Sequence, residues 1–224
     1  MSKQIALIFD LDGTLIHSLP DLRNALNLLL AEEKRRSLGE EEVALMIGDG
    51  VRMLVAQGLQ ATGAAAEDDA ALDALTARFM VHYEAAPAAE TRPYPGVVET
   101  LEELVRRGHP LAICTNKPIS ATMDLLRMLE LERFFDAVIG GGSTPDRKPA
   151  PGPVRAALDR LNAPPAEALM IGDSVNDVLS ARAAGVRCAA VTYGYPRGPV
   201  EALGADILID SFPEVLGLLE MVEG

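Results

Sequence analysis

Asp10 and Asp12 follow the apolar run Ile5-Ala6-Leu7-Ile8-Phe9 and precede Gly13-Thr14. A short apolar run closed by a glycine turn reads as a buried strand. Side chains alternate along a strand, so positions two apart return to the same face. Both carboxylates can therefore share one site at the strand's carboxyl end. Two carboxylates that close repel each other, and either a cation or a proton on one of them relieves the repulsion. Such a pair suits a metal-assisted reaction with one nucleophile and one acid/base. The same four residues also describe a polar strand end entering a turn, so the decision falls to the residues downstream.

Three later strand ends carry chemistry-bearing groups. The run 110–114 ends in Thr115-Asn116-Lys117-Pro118. A hydroxyl, an amide and free N–H groups at a helix start can cradle a phosphate, and an ordinary cap by Thr115 or Asn116 accounts for them too. The run 137–140 opens into a long loop that ends in Arg147-Lys148-Pro149. Pro149 biases Lys148 toward an extended backbone, from which it reaches inward as a point charge or stays solvated. The run 168–171 ends in Gly172-Asp173-Ser174-Val175-Asn176-Asp177. Acids at a helix start are favoured by the helix dipole. Asp173 and Asp177 also suit Mg²⁺, which takes one or two carboxylates together with a substrate phosphate.

The elements that must position these groups alternate from Pro95 onward. Helices are expected at 97–107, 119–130, 152–162, 175–184 and 213–222, and strands at 110–114, 137–140, 168–171, 187–192 and 206–209. That alternation predicts an α/β fold, a doubly wound parallel sheet with a Rossmann-like core. Ligands of such sheets bind outside the carboxyl ends of the strands, the edge that carries all four clusters. Residues 21–90 contain no convincing strand. Helices are expected from Asp21, with Pro20 just outside, to about Lys34, then at 40–47, 51–59 and 68–83. The chain thus divides into a core of residues 1–14 and 94–224 and an inserted all-helical cap domain of residues 15–93. The two tethers of the insert can act as hinges.

Composition narrows the partners. At 224 residues and 49% hydrophobic content the chain can bury one substantial core. No apolar run approaches the ~20 residues that span a bilayer, and the first run is strand-length and followed at once by acids, unlike a signal peptide. The cytoplasm is the expected location. A formal charge of −13 argues against nucleic acid or an anionic membrane as partner. Any anion site must be built locally. Cys114 and Cys188 are expected as buried structural thiols. His17, His82 and His109 are expected in surface or hinge roles.

Taken in order, Asp10-Leu11-Asp12-Gly13-Thr14, Thr115-Asn116, Lys148-Pro149 and Gly172-Asp173-Ser174-Val175-Asn176-Asp177 resemble the four motifs of the haloacid dehalogenase-like superfamily, in its phosphatase branch with a helical cap. Thr115-Asn116-Lys117-Pro118, Ile47-Gly48-Asp49-Gly50 and Val191-Thr192-Tyr193-Gly194-Tyr195 resemble bacterial phosphoglycolate phosphatases. One departure is His17, where those proteins usually carry an acid. The resemblance implies a Mg²⁺-dependent phosphomonoesterase acting on a small phosphorylated metabolite, 2-phosphoglycolate above all. It implies Asp10 as nucleophile through an aspartyl phosphate, and Asp12 as acid and then base. Mg²⁺ would be held by Asp10, Asp173 and the Asp12 backbone carbonyl, with Asp177 assisting. Thr115, Asn116 and Lys148 would bind the phosphoryl group. Arg52 in the cap is the candidate for gripping a substrate carboxylate, although a solvated helix cation describes it equally well. Two rival readings are a phosphosugar mutase of the same fold and a non-catalytic phosphate-sensing protein. The oligomeric state is not fixed by the sequence.

Overall fold

The structure is a computed structural model and describes residues 4–223. Strand β1 (Ala6–Phe9) is buried at every position. It pairs in parallel with β4 (Leu111–Pro118) on one side and β6 (Ala168–Gly172) on the other, with Leu7 beside both Leu111 and Leu169. With β5 (Ala137–Gly141), β7 (Arg187–Val191) and β8 (Ile207–Ile209) they form a six-stranded sheet of order β5-β4-β1-β6-β7-β8, in which every pairing is parallel. The chain builds outward from β1 to β5, then crosses back to β6 and builds the other half. The strand order reverses between β1 and β6, the place where open α/β sheets bind ligands.

Alternation along β1 feeds two separate cores. Leu7 and Phe9 pack on the face that also holds Leu101, Leu104, Val215 and Leu219, from α5 (Val97–Arg106) and α9 (Glu214–Glu223). Ala6 and Ile8 pack on the face that holds Val154, Ala157, Val178 and Ala181, from α7 (Gly152–Leu161) and α8 (Val175–Ala184). Cys114 and Cys188 are buried free thiols of the second core, and burial pushes the Cys114 thiol up to about 12.

Helices α1 (Leu19–Glu32), α2 (Glu40–Ala44), α3 (Val51–Thr62) and α4 (Asp69–Ala85) are inserted after β1. Leu26, Leu30, Val55, Leu59 and Phe79 give them a buried interior. The tethers pair as a short antiparallel ribbon of β2 (Ile16–His17) and β3 (Arg92–Pro93). Asp21 and Pro20 differ from expectation. Helix α1 begins at Leu19, so Pro20 sits inside its first turn, where its missing N–H costs nothing. Asp21 is buried and caps nothing; its carboxylate accepts from the Thr91 hydroxyl at 2.6 Å and from the N–H groups of Glu90 and Thr91. That buried anion joins the outgoing tether to the returning one. Among the described residues no helix is long and apolar enough to cross a membrane.

Candidate active site

The carboxyl end of β1 delivers Asp10, whose N–H donates to Ile171 O at 2.9 Å and so extends the sheet by one residue. The turn after it needs Gly13. Its φ is +86°, and a Cβ there would run into the Asp173 carboxylate and the Tyr195 ring. Asp173 arrives at the end of β6. Its Oδ2 accepts from the Tyr195 N–H at 2.7 Å and its Oδ1 from the Thr14 hydroxyl at 3.3 Å. Asp177 lies in the first turn of α8. Its Oδ2 accepts from the Ser174 N–H and hydroxyl, completing a capping box, and its Oδ1 accepts from Lys148 Nζ at 2.5 Å. One Asp177 oxygen therefore caps the helix while the other meets Lys148.

Lys148 is buried, at 2% exposure. Its Nζ donates to Cys114 O at 2.6 Å and lies 3.0 Å from Asp10 Oδ1. The geometry at Asp10 Oδ1 is not that of a hydrogen bond, and this buried oxygen has no hydrogen-bond partner. One oxygen from each of Asp10, Asp173 and Asp177 lies within 4.8 Å of the others. Burial raises Asp10 from 3.8 to about 6; Lys148 pulls it down, while Asp177 and Asp12 push it up. Burial, then Asp177 and Asp10, raise Asp173 well above the carboxylate range. Burial works against the Lys148 ammonium, but Asp10 and Asp177 outweigh it and hold its pKa above the usual value.

Three buried carboxylates thus face one buried ammonium, and the cluster is short of positive charge. An all-oxygen donor set with an unpartnered carboxylate oxygen fits a hard divalent cation. The charge shortage has a consequence that needs no turnover to measure. Asp10 binds its proton more tightly folded than unfolded, so its contribution to metal-free stability is full below pH 3.8 and is lost as pH rises through about 6. Metal-free protein is expected to melt roughly 5 °C lower at pH 7.5 than at pH 5. Mg²⁺ should raise the Tm more at pH 7.5 than at pH 5. Thermal scans with and without EDTA measure both, and a Mg²⁺ shift equal at the two pH values contradicts this account.

The remaining strand ends close around the cluster. Thr115 is buried, with its hydroxyl oxygen accepting from the Lys117 N–H at 3.3 Å. The Asn116 side chain acts as a clamp. Its Oδ1 accepts from the Lys148 N–H and its Nδ2 donates to the carbonyls of Lys148 and Gly48, each at 3.0 Å. Its amide is thus committed to the lysine loop and the cap, which leaves only its backbone for a phosphate. Above the cluster, the cap loop Gly48-Asp49-Gly50 is held down from the core. Asn176 Nδ2 donates to Asp49 Oδ1 at 2.7 Å, and Arg197 pairs with Asp49 Oδ2 at 2.5 Å. Between loop and strand ends lies a small cavity, partly open to solvent. Leu22, Met46, Ile47, Val51 and Leu54 of the cap form its apolar wall, and Asp10, Asp12, Thr115, Asn116 and Lys117 its polar floor.

Arg52 is not brought to this cavity. Its guanidinium pairs with Asp69 at 2.5 Å and Asp73 at 2.6 Å on the cap surface. Lys117, which sequence reasoning misses, does reach the site. It is buried, and its Nζ lies 3.2 Å from both carboxylate oxygens of Asp12. The missing signal is the length of the strand: β4 continues through Pro118 instead of stopping at residue 114. Alternation then puts Lys117 on the face of Thr115. The histidines lie outside the carboxylate cluster. His17 Nδ1, in the β2–β3 ribbon, is 2.8 Å from the Tyr195 hydroxyl, and His82 pairs with Glu32 on the cap. His109, expected at the surface or a hinge, is buried, with Nδ1 3.0 Å from Ile5 O at the opposite end of β1.

The sequence model of the haloacid dehalogenase-like hydrolases matches residues 7–191, spanning both the core and the insert. The chain belongs to the haloacid dehalogenase-like hydrolase family. Within that family it is similar to a phosphoglycolate phosphatase of Rhodospirillum rubrum, 46% identical over 210 residues, covering 92% of this chain and 87% of the relative. Its fold matches the crystal structure of a predicted phosphoglycolate phosphatase from Haemophilus somnus with a TM-score of 0.90 at 31% identity, over 97% of this chain and 99% of that one. It also matches CbbY from Rhodobacter sphaeroides in complex with phosphate, with a TM-score of 0.82 at 28% identity, over 98% of this chain and all of the other. Among haloacid dehalogenase-like hydrolases the chain groups with the phosphoric monoester hydrolases.

Proposed function

We propose that this protein is a Mg²⁺-dependent phosphomonoesterase that hydrolyses 2-phosphoglycolate through an aspartyl phosphate on Asp10. The observation that carries the reading is the buried, unpartnered Asp10 carboxylate oxygen beside Lys148, Asp173 and Asp177 at the foot of a small, partly open cavity. A carboxylate so placed needs a cation to stay ionised and has an oxygen free to attack. Asp10 attacks phosphorus, and a phosphorus–oxygen bond to Asp10 forms as the ester bond breaks. Asp12 gives its proton to the departing alkoxide and then takes one from the water that releases phosphate. Lys148, the Thr115 hydroxyl and the Asn116 backbone hold the other phosphoryl oxygens, where fixed donors act most strongly on the transition state. Mg²⁺ held by Asp10, Asp173 and the Asp12 backbone carbonyl, with Asp177 assisting, would offset the negative charge of an incoming phosphate dianion.

The cap supports a small substrate. Asp49, clasped by Asn176 and Arg197, keeps the roof over the cavity, and a roof so held restricts the entry of bulk water and of large substrates. The names of the similar proteins support phosphoglycolate in particular. The test is a panel of phosphorylated metabolites, with and without Mg²⁺, ranked by kcat/KM. Phosphoglycolate is expected to lead, with turnover lost in EDTA and restored by Mg²⁺. Another ester far ahead of it overturns the substrate, undiminished turnover without metal overturns the metal, and a hexose 1-phosphate isomerised without phosphate release favours a mutase.

A further inference from the structure

Lys117 has no place in the phosphoryl-transfer steps above, yet it is 4% exposed on the floor of the cavity. Among the described residues lining that cavity it is the one cation. Burying an ammonium is costly unless it is paired, and its pairing here is loose. Both contacts to Asp12 are 3.2 Å, longer than the usual 2.7–2.9 Å of a charge-assisted bond. Its other neighbour is an aromatic face, since Nζ lies 4.7 Å from the ring centroid of Tyr83 in the cap. The Tyr83 hydroxyl is buried with no hydrogen bond of good geometry; burial raises its pKa, and the neighbouring Lys117 ammonium pulls it back. An ammonium has three donors. This one therefore has capacity for a further acceptor, and an unsatisfied hydroxyl belongs to the ring beside it.

We propose that Lys117 is the specificity-determining residue of this site and selects phosphate esters that bear a carboxylate on the carbon bonded to the ester oxygen. The proposal rests on the phosphatase reading above. Its geometry is set by connectivity. Asp12 must reach the ester oxygen to protonate it, and Lys117 touches Asp12. A carboxylate two bonds from that oxygen is within reach of Lys117 when the oxygen lies beside Asp12, because Lys117 Nζ is 3.2 Å from Asp12. The substrate carboxylate then takes up the donors that Asp12 shares, and an Asp12 oxygen is released toward the leaving group. An ester with a methyl group at the same place leaves the lysine on Asp12. Arg52, the candidate from sequence, cannot serve without breaking its pairs with Asp69 and Asp73.

The test compares 2-phosphoglycolate with ethyl phosphate, which carries a methyl group in place of the carboxylate, using Mg²⁺-loaded protein. In Lys117→Met the ratio of the two kcat/KM values is expected to fall about 100-fold, and Lys117→Arg should keep part of the preference because it keeps the charge. A ratio unchanged in Lys117→Met overturns the proposal. If that variant turns over neither ester, calorimetric titration of Asp10→Asn and Asp10→Asn/Lys117→Met with both esters reads the same preference without chemistry. There the affinity ratio should again collapse, and its survival overturns the proposal. Wild-type protein that hydrolyses neither ester removes the phosphoglycolate reading and the proposal with it.

Discussion

Asp10→Asn is expected to lower kcat on a small phosphate ester by about 10⁴-fold or more and, in the absence of metal, to raise the Tm at pH 7.5. The two effects have one cause. Asparagine keeps the shape of the side chain but lacks the negative charge that makes a carboxylate oxygen nucleophilic. The same loss removes one of three buried acids that face a single lysine. Burial has already raised Asp10 to about 6, against the pull of Lys148, so above that pH the wild-type protein holds an unfavourable charge. Lys148 loses its 3.0 Å neighbour but keeps Asp177 and the Cys114 carbonyl. Relief of repulsion therefore outweighs the lost pair. Phosphate release and calorimetry in EDTA measure the two effects separately. A variant that keeps more than about 1% of wild-type turnover would remove Asp10 from the nucleophile's role, whatever its stability.

The sheet is readable from sequence because its signals are local. Each core strand is a short apolar run with a turn at its end, and in a parallel sheet every carboxyl end faces the same edge. The residues just past each run therefore assemble Asp10, Thr115, Lys148, Asp173 and Asp177 on one edge without knowledge of any contact. The structure brings four of them to within hydrogen-bonding or ligand distance. Lys117 is lost to a boundary. The apolar run stops at residue 114, but backbone pairing with β5 resumes at Pro118 opposite Gly141 after a register shift. Polar residues can continue a strand when the ligand site, and not the core, receives their side chains.

The cap is less legible because its faces are set by packing against distant helices. Arg52 comes two residues after Gly50, where the sequence places it to look into the site. Helix α3 instead presents it to Asp69 and Asp73 of α4, a pairing roughly twenty residues away in the chain that no local pattern marks. Asp21 misleads for a related reason. An acid beside a proline at a helix start matches a cap signature, while its real partners, Glu90 and Thr91, lie on the far side of the whole insert. Asn116 shows the same limit at the core: the side chain that could cap or cradle is spent joining Lys148 to Gly48.

Lys148→Met is expected to be the most destabilising of these substitutions, by about 3–5 kcal/mol without metal at pH 7.5, and to lower kcat about 10³-fold. A solvated lysine on a flexible loop would change stability by no more than about 0.5 kcal/mol, so the magnitude alone separates the two readings of this residue. Methionine fills the same volume but leaves Asp10 and Asp177 facing each other with no ammonium between them, and removes the bond that fixes the loop to Cys114 O. Loss of the lysine withdraws the main force holding Asp10 down, so Asp10 is driven further above 6. Because a raised carboxylate stabilises below its folded pKa and costs stability above it, the variant should recover part of its deficit at pH 5. Mg²⁺ should recover part at pH 7.5 by replacing positive charge beside Asp10. Urea unfolding at both pH values, with and without Mg²⁺, measures all four states. A deficit independent of pH and of metal would mean that Lys148 acts by packing and by its bond to Cys114, and that the charge balance of the carboxylate cluster is set by something other than this lysine.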